Sequence, residues 1–372
     1  MRKWFLLLIA FFVFVYACNQ RSSQPQMVRA EDSPTDSVRI VKNGLNHPWE
    51  ILWGKDDHIW MTERDGKISK IDPETGNIVF STSLPEVESI NEGGLLGMVQ
   101  HPDFLTNGLF YVVYNYNDNT GTYLEKMVQL KYENGSIKPV RTLVENITAA
   151  SYHNGSRLLI TGEANSKLFM TTGEATIKDN AQNTNSLSGK VLRFNLDGSI
   201  PADNPFAGSP VWSFGLRNQQ GLVVANGIMY ASEHGPTIED EVNIIEKKRN
   251  YGWPAVNGPC DEWTEKSFCT ANNVKEPIWS SGGTTLAVCG MDYYNNKRIA
   301  AWQNSLLMVT LKDASLRVLT LSSDGLSVVK QQTFFKDRFG RLRDICISPA
   351  GKVYLCTSNG SNEDVLLEIL KP

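Results

Sequence analysis

Hydrophobic positions in this chain fall into short runs of aliphatic, β-branched and aromatic residues that come in pairs. Residues 59–62 and 68–71, for example, flank Asp65-Gly66, a dipeptide typical of tight hairpin turns. Five further pairs follow the same pattern: 109–114 with 127–132, 167–172 with 190–195, 227–232 with 241–245, 305–311 with 316–321, and 353–358 with 365–370. The paired runs predict β-hairpins from one end of the chain to the other.

No segment keeps the apolar spacing of a long amphipathic helix, so the pattern predicts an all-β protein. Six hairpin pairs, each completed by outer strands, indicate a six-bladed β-propeller of four-stranded antiparallel blades. The loops between the pairs are unequal in length, which leaves a two-sheet sandwich with insertions as the alternative fold.

The N-terminal residues have the pattern of a secretory signal. Arg2 and Lys3 precede an apolar run at residues 4–17, which is short for a membrane span. The sequence V-Y-A-C at residues 15–18 resembles a bacterial lipobox, in which Cys18 becomes the lipidated first residue of the mature protein. We therefore expect an exported, periplasmic protein that is lipid-anchored at Cys18, with plain secretion as the alternative.

The segment 19–37 is polar, contains Gln, Ser, Pro and Arg, and offers little to bury, so it is expected to be a flexible tether. The folded domain is then residues 38–372. Its charge excludes one class of partner, because 36 Lys and Arg against 40 Asp and Glu give a net charge of -4 and no basic run is present. A nucleic-acid partner is not expected.

Of the six cysteines, five follow Cys18, and an odd number leaves at least one thiol free. Export permits disulfides. Cys260 and Cys269 lie in one loop rich in Gly, Pro and Asn, so they are either bonded to each other or both free.

The stretch 211–254 carries the densest set of candidate functional residues, in the motifs G-L-R-N-Q-Q-G, S-E-H-G-P, E-D-E-V-N and N-Y-G-W-P. This stretch resembles the sugar dehydrogenases that use pyrroloquinoline quinone (PQQ) and calcium on a six-bladed propeller. That family includes the soluble quinoprotein glucose dehydrogenases and the aldose sugar dehydrogenases. The resemblance runs from Leu45 to Ile369. It implies an oxidoreductase that converts the anomeric hydroxyl of an aldose to a lactone by hydride transfer to PQQ.

The resemblance assigns the chemistry to three side chains. His153, in Y-H-N-G-S-R-L, is expected to take the proton of the anomeric hydroxyl, because histidine titrates near neutral pH; an ordinary surface histidine is the alternative. Glu174, where the family usually has aspartate, is expected to orient His153, with a solvated acid as the alternative. Arg217 is expected to stabilise the charge that develops on the quinone oxygen, and Asn218 to bond the rim of the cofactor.

Lys312, Arg341 and Arg343 are expected to bind the three carboxylates of PQQ. Alternate residues of a strand share one face, so both arginines can reach a single anion while Asp344 faces away. The guanidinium fork fits a carboxylate in bidentate geometry. Exposed charges on edge strands are the alternative.

Glu92, in N-E-G-G-L-L-G, stands where glucose-specific members of the family have a glutamine that faces substrate and cofactor. A carboxylate beside a tricarboxylate costs free energy unless it is paired with Arg217 or protonated.

The resemblance also implies two calcium sites. Gly235 and Pro236 offer backbone carbonyl oxygens, which are calcium ligands, for the ion that bridges protein and PQQ. A second, structural site is expected from Asp240, Glu241, Asp261 and the backbone carbonyl of Tyr251.

Two other functions fit a six-bladed propeller. A calcium-dependent lactonase would not need the cations at Lys312, Arg341 and Arg343, and a non-catalytic ligand-binding propeller would not need His153. The expected partners are therefore an aldose substrate and an external electron acceptor.

Overall fold

Six four-stranded antiparallel sheets make up the computed structural model of this protein, which describes residues 37–162 and 165–371. The sheets are the blades of a six-bladed β-propeller, so the predicted fold is confirmed and the sandwich is excluded. The first three blades consist of β2 (Pro48–Trp53), β3 (Ile59–Glu63), β4 (Lys67–Ile71) and β5 (Ile78–Ser83); β6 (Leu95–Gln100), β7 (Leu109–Asn117), β8 (Tyr123–Glu133) and β9 (Ser136–Thr148); and β10 (Gly155–Thr161), β11 (Lys167–Thr172), β12 (Lys190–Asn195) and β13 (Val211–Phe214).

The other three blades follow in chain order, except that the last blade takes its outer strand from the start of the chain. They consist of β14 (Gln219–Ala225), β15 (Ile228–Glu233), β16 (Glu241–Ile244) and β17 (Trp279–Ser280); β18 (Val288–Tyr294), β19 (Ser305–Thr310), β20 (Leu316–Leu321) and β21 (Val328–Phe334); and β22 (Leu342–Ile347), β23 (Val353–Thr357), β24 (Asp364–Ile369) and β1 (Val38–Leu45).

The ring of blades is closed by hydrogen bonds between the two ends of the folded chain. β1 pairs antiparallel with β24, from Val38 opposite Ile369 to Leu45 opposite Asp364. The first strands of the blades, β2, β6, β10, β14, β18 and β22, contact one another in a complete ring around the central axis. Residues that precede these inner strands therefore meet at one end of that axis.

The hydrophobic core is divided among the six interfaces between neighbouring blades. Trp60 and Phe110 join the first and second blades, and Trp302 packs with Leu355 between the fifth and sixth. Because each blade is covered on both faces, its middle strands are buried along their length, as β11 is at every position. This explains why these strands appear in the sequence as short runs rich in apolar residues.

The six paired runs of the sequence are the second and third strands of the six blades. The runs at 167–172 and 190–195, for example, are β11 and β12. The outer strands carry a weaker signal, because their side chains are largely in solvent; β21 has no fully buried residue.

Within the described ranges, two short α-helices lie in the loops: α1 (Phe104–Asn107) and α2 (Trp263–Asn272). The sequence did not predict α2, because Glu265 is its one buried residue and the helix therefore shows no apolar stripe. A disulfide joins Cys260, which precedes α2, to Cys269 within α2, while Cys289, Cys346 and Cys356 are free and buried. No helix within the described residues is long and apolar enough to cross a membrane.

The predicted signal at 1–17, the lipidation at Cys18 and the tether up to residue 36 lie outside the described residues. Ser37, predicted as the end of the tether, belongs to the propeller instead. Its carbonyl accepts a hydrogen bond from the backbone N–H of Leu370 at 2.9 Å, and its hydroxyl accepts one from Arg338 at 2.7 Å.

Candidate active site

The predicted site residues lie at one end of the central axis because of where they stand relative to the strands. Neighbouring strands in a blade are antiparallel, so the start of a first strand and the end of a second strand share an edge. Eight of the predicted residues either precede a first strand or follow a second strand, namely Glu92, His153, Glu174, Arg217, Asn218, Gly235, Lys312 and Arg341, and Arg343 is the second residue of the first strand β22. The fold thus gathers residues from five blades around one opening.

His153 and Glu174 are in direct contact. The Nδ1 atom of His153 is hydrogen-bonded to Oε1 of Glu174, whose side chain is buried. The backbone fixes both residues, because Ala175 N–H donates to the carbonyl of His153 at 3.1 Å and Glu174 N–H donates to the carbonyl of Arg217 at 2.8 Å. His153 has φ of 64°, a left-handed conformation that places it in a sharp turn before β10. The longer side chain of glutamate therefore still reaches the histidine.

Asn218 supports the histidine loop. Its Oδ1 atom accepts the backbone N–H of Gly155 at 3.0 Å, and its side chain is buried. The sequence predicted that Asn218 bonds the cofactor rim. In the structure its Oδ1 atom accepts the N–H of Gly155, which stands two residues after His153.

Glu92 is surrounded by three arginines. Its carboxylate lies 2.8 Å from Nη2 of Arg343, 3.3 Å from Nη2 of Arg341 and 3.8 Å from Nη1 of Arg64. Burial alone would raise the pKa of Glu92, but Arg343, Arg64 and Arg341 outweigh it and lower the pKa to about 2. Glu92 is therefore ionised and paired, and the expected partner Arg217 is corrected to Arg343, Arg341 and Arg64.

The strand alternation predicted for Arg341 and Arg343 is confirmed, since both contact the same carboxylate. Arg341 keeps 43% of its side chain exposed, whereas Arg343 is fully buried. Asp344 faces away and pairs with the guanidinium of Arg157 at 3.0 Å. One arginine is thus fixed by the interior, and the other lies at the edge of the opening.

Arg343 is held from below as well as from the opening. Its Nη1 atom donates to Oε1 of Gln220 at 2.9 Å and to the sulfur of Cys289 at 3.3 Å. These contacts fix the direction of the guanidinium group without neutralising its charge.

Arg217 stands over an aromatic ring. Its guanidinium carbon lies 5.3 Å from the ring centroid of Trp253, and Nη1 donates to the carbonyl of His234 at 3.3 Å. Burial, together with Arg217 and Arg343, lowers the pKa of His234 to about 3. The imidazole of His234 is therefore neutral at physiological pH.

The turn after β15 presents the carbonyls of the predicted calcium site. A Cβ atom on Gly235 would lie 1.8 Å from the carbonyl oxygen of Ile238, so glycine is required at this close approach. The N–H of Gly235 donates to Oδ1 of Asp240 at 2.9 Å, which fixes the turn, and Pro236 is exposed.

Of the residues predicted for a second calcium site, the carboxylates of Asp240, Glu241 and Asp261 do not form a metal-binding group, and Tyr251 is buried. Asp240 accepts N–H donors such as that of Gly235, Glu241 accepts the N–H of Gly258 at 2.8 Å, and Asp261 is exposed. Among the described residues, no group of three or more His, Cys, Asp or Glu side chains is placed to hold a metal ion. Hydrogen-bond donors offset the buried carboxylates, and the second calcium site stays a prediction.

Lys312 is exposed just beyond β19, with its backbone N–H bonded to the carbonyl of Leu286 at 3.0 Å.

Arg64, His234 and the ring of Trp253 are site residues that the sequence interpretation missed. Arg64 follows β3 in an ordinary E-R-D-G turn, so the local sequence does not mark it as a site residue. His234 belongs to the S-E-H-G-P motif and directly precedes Gly235, so the motif could have identified it.

A cavity of about 640 Å³ lies at the opposite ends of the inner strands. It is lined by residues such as Trp53, Gln100 and Ile347, which end β2, β6 and β22 or directly adjoin them. None of the residues predicted for catalysis, cofactor or metal binding lines this cavity. The chemistry is concentrated at the other end of the axis.

Comparison with known proteins gives one consistent result. A model of the family described as Glucose / Sorbosone dehydrogenase matches residues 45–368. The aldose sugar dehydrogenase YliI of Escherichia coli is 30% identical over 347 residues, which cover 88% of this chain and 92% of that protein. Quinoprotein glucose dehydrogenase B of Acinetobacter calcoaceticus is 29% identical, covering 91% of this chain and 88% of that protein.

A solved structure agrees with these relatives. The PQQ-bound form of the aldose sugar dehydrogenase from Streptomyces coelicolor superposes with a TM-score of 0.75 at 29% identity. The match covers 90% of this chain and 97% of that chain.

Proposed function

The chain belongs to the glucose/sorbosone dehydrogenase family, and from this premise we propose that it is a PQQ- and calcium-dependent aldose sugar dehydrogenase. The proposed reaction oxidises the anomeric hydroxyl of an aldose to a lactone and delivers two electrons to an external acceptor. Three parts of the site support the proposal: the arginines, the carbonyl turn and the histidine–glutamate pair.

One observation carries the proposal, namely the convergence of Arg64, Arg341 and Arg343. Three guanidinium groups share the single carboxylate of Glu92, which leaves a local excess of two positive charges. Largely buried positive charge of this kind is stabilised by an anionic ligand. PQQ carries three carboxylates and meets this requirement, with guanidinium forks as matching partners.

Polar atoms without partners indicate where such a ligand would bind. Among the described residues at this end of the axis, the buried polar atoms without a hydrogen-bond partner include the Nε atoms of Arg64, Arg217 and Arg343 and the Nε2 atom of His234. Arg341 and Arg343 would hold carboxylates of PQQ, and Arg217 would face a quinone oxygen. When bound, PQQ supplies the acceptor for the hydride of the sugar.

Lys312 and the turn at Gly235 and Pro236 complete the proposed binding set. The exposed ammonium of Lys312 would reach a cofactor carboxylate from the edge of the opening. Backbone carbonyls of the turn would bind calcium, which takes oxygen ligands in flexible geometry.

His153 is proposed as the general base. Glu174 accepts the proton on Nδ1, so the neutral imidazole presents Nε2 as the acceptor for the anomeric proton. After the transfer, the buried carboxylate of Glu174 stabilises the imidazolium ion. The left-handed turn at His153 and the hydrogen bond from Gly155 to Asn218 hold the ring in place.

The arginines also distinguish this proposal from a lactonase. The substrate of a lactonase is a neutral ring, which guanidinium groups around Glu92 would not help to bind. A tricarboxylate cofactor, in contrast, is bound by these groups. A non-catalytic propeller gains nothing from the contact between His153 and Glu174.

The test is reconstitution of purified apoprotein with PQQ and calcium, followed by dye reduction with a panel of aldoses. We expect activity that requires both additions, and loss of bound PQQ on treatment with a calcium chelator that fresh calcium reverses. Lactone hydrolysis without PQQ would instead support the lactonase. Tight PQQ binding that survives exhaustive calcium removal would contradict the role of the Gly235 turn.

We also propose that the protein is exported and lipid-anchored at Cys18, on the basis of residues 1–18. Replacement of Cys18 by serine is expected to move the protein from the membrane fraction to the soluble periplasmic fraction. An unchanged distribution would favour plain secretion.

A further inference from the structure

Two aromatic side chains are strongly exposed within the described part of the chain: Tyr152, at 49%, and Trp263, at 83%. Trp263 lies at the start of α2. Tyr152 stands directly before His153, and its ring centroid is 5.0 Å from that of His153 at an interplanar angle of 76°. An exposed aromatic ring therefore adjoins the proposed base.

A second exposed apolar side chain lies on the loop that carries Glu92. Ile90 is 37% exposed, and Glu92 N–H donates to the carbonyl of Ser151 at 2.9 Å. This hydrogen bond joins the Glu92 loop to the loop of Tyr152. Ile90 and Tyr152 thus lie on loops that are fixed to each other.

A third exposed apolar side chain lies on the loop that follows Glu174. Ile177 is 51% exposed, and its N–H donates to the carbonyl of Glu174 at 3.1 Å. The same loop is joined to the histidine loop by the hydrogen bond from Ala175 to the carbonyl of His153 at 3.1 Å. Three loops joined by backbone hydrogen bonds therefore each carry an exposed apolar side chain, and that of Tyr152 contacts His153.

We infer that Tyr152, with Ile90 and Ile177 beside it, forms an apolar wall that binds the C–H face of a cyclic aldose. This inference rests on the proposed function. A sugar ring in its chair form has hydroxyls around its edge and C–H groups on its faces. Packing such a face on an aromatic ring removes apolar surface from water and leaves the hydroxyls free. The anomeric hydroxyl is then directed towards His153.

The substrate class is therefore a pyranose ring with an uninterrupted C–H face. The wall binds the ring and His153 takes the anomeric proton, so sugar binding and proton transfer depend on different residues. Tyr152 is therefore a specificity-determining residue whose loss weakens sugar binding and leaves proton transfer intact.

The test uses the PQQ- and calcium-loaded protein with Tyr152→Ala, Tyr152→Phe and the control Trp263→Ala. Steady-state kinetics with several aldopyranoses give KM and kcat, and inhibition by a 1,5-anhydroalditol, which keeps the ring but has no anomeric hydroxyl, reports binding directly. We expect Tyr152→Ala to raise KM and the inhibition constant about tenfold, which corresponds to the contribution of one aromatic contact. The kcat of Tyr152→Ala should stay within about threefold of the parent value, and its pH profile should not move. Tyr152→Phe and Trp263→Ala should have the KM and inhibition constant of the parent.

Several outcomes would overturn the inference. An unchanged KM and inhibition constant in Tyr152→Ala would remove the ring from the sugar site. An equal loss in Tyr152→Phe would assign the effect to the hydroxyl group. A lower kcat with a displaced pH profile and an unchanged inhibition constant would mean that Tyr152 acts through His153. If the parent protein oxidises no aldose, the proposed function itself is contradicted. If the parent oxidises aldoses and Tyr152→Ala has the same KM and inhibition constant, only the role of Tyr152 is contradicted.

Discussion

Replacement of Glu92 by glutamine is expected to have opposite effects on the apoprotein and on cofactor binding. In the folded apoprotein, Glu92 is ionised among Arg64, Arg341 and Arg343, with its pKa lowered from 4.5 to about 2. A difference of this size corresponds to about 3 kcal/mol of stabilisation. Because 34% of the side chain is exposed, solvent screening reduces the contribution to about 1–2 kcal/mol.

The sign of the pH dependence follows from the direction of the shift. A carboxyl whose pKa is lower in the folded state stabilises that state above pH 4.5, and the contribution is lost as the pH falls through about 2. Glu92→Gln should therefore lower the melting temperature of the apoprotein at pH 7. At about pH 3 the difference between variant and parent should be less than half as large.

PQQ binding should respond in the other direction. The same substitution removes a negative charge next to the proposed tricarboxylate site and frees Arg341 and Arg343 for the ligand. The expected gain is about 1 kcal/mol, or roughly fivefold to tenfold in affinity, and it should shrink as salt is added. Titration of apoprotein with PQQ in excess calcium, followed by tryptophan fluorescence, measures this affinity.

Glu145→Gln is the matched control, because Glu145 is an exposed residue of the outer strand β9. This substitution also removes one negative charge, but at a position distant from the three arginines. It should therefore change neither the melting temperature of the apoprotein nor its affinity for PQQ. Weaker PQQ binding in Glu92→Gln, or a more stable apoprotein, would refute the view that Glu92 neutralises a site built for an anionic ligand.

Three other predictions test separate parts of the molecule. His153→Ala should leave PQQ affinity unchanged and slow stopped-flow reduction of the cofactor by excess aldose by about 10²–10⁴-fold, and reduction at the parent rate would mean that His153 is not the base. Arg341→Ala should weaken PQQ binding about tenfold in a direct titration, with an unchanged affinity placing Arg341 outside the site. Replacing both Cys260 and Cys269 by serine opens a loop with a sequence separation of 9 and should cost about 2–3 kcal/mol in denaturant unfolding, whereas an unchanged midpoint would show that the loop is held by other contacts.

The sequence alone determined the architecture. Hairpins such as β11 and β12 are local, and the cover that each blade receives from its neighbours buries these strands and makes them rich in apolar residues. The G-L-R-N-Q-Q-G and S-E-H-G-P motifs identified the family for the same reason, since each is a contiguous turn at one edge of a blade. Strand alternation correctly placed Arg341 and Arg343 on one anion with Asp344 facing away.

The tertiary structure decided which groups face each other across the opening. Glu92 and Arg343 are separated by 251 positions and belong to different blades, so no local pattern specifies their pairing. The same holds for the oxygen of Asn218, which holds Gly155 across 63 positions. Arg64 could not be predicted as a site residue, because it lies in an ordinary E-R-D-G turn.

The carboxylates proposed for a second calcium site show the limit most clearly. Asp240 and Glu241 are adjacent in sequence, and the sequence alone does not show which hydrogen-bond donors reach their carboxylates. In the fold, donors from distant loops reach Asp240, among them the N–H of Ala287 at 2.8 Å, 47 positions away. Sequence determines which residues stand at the ends of strands, whereas closure of the six-bladed ring determines which of those ends meet.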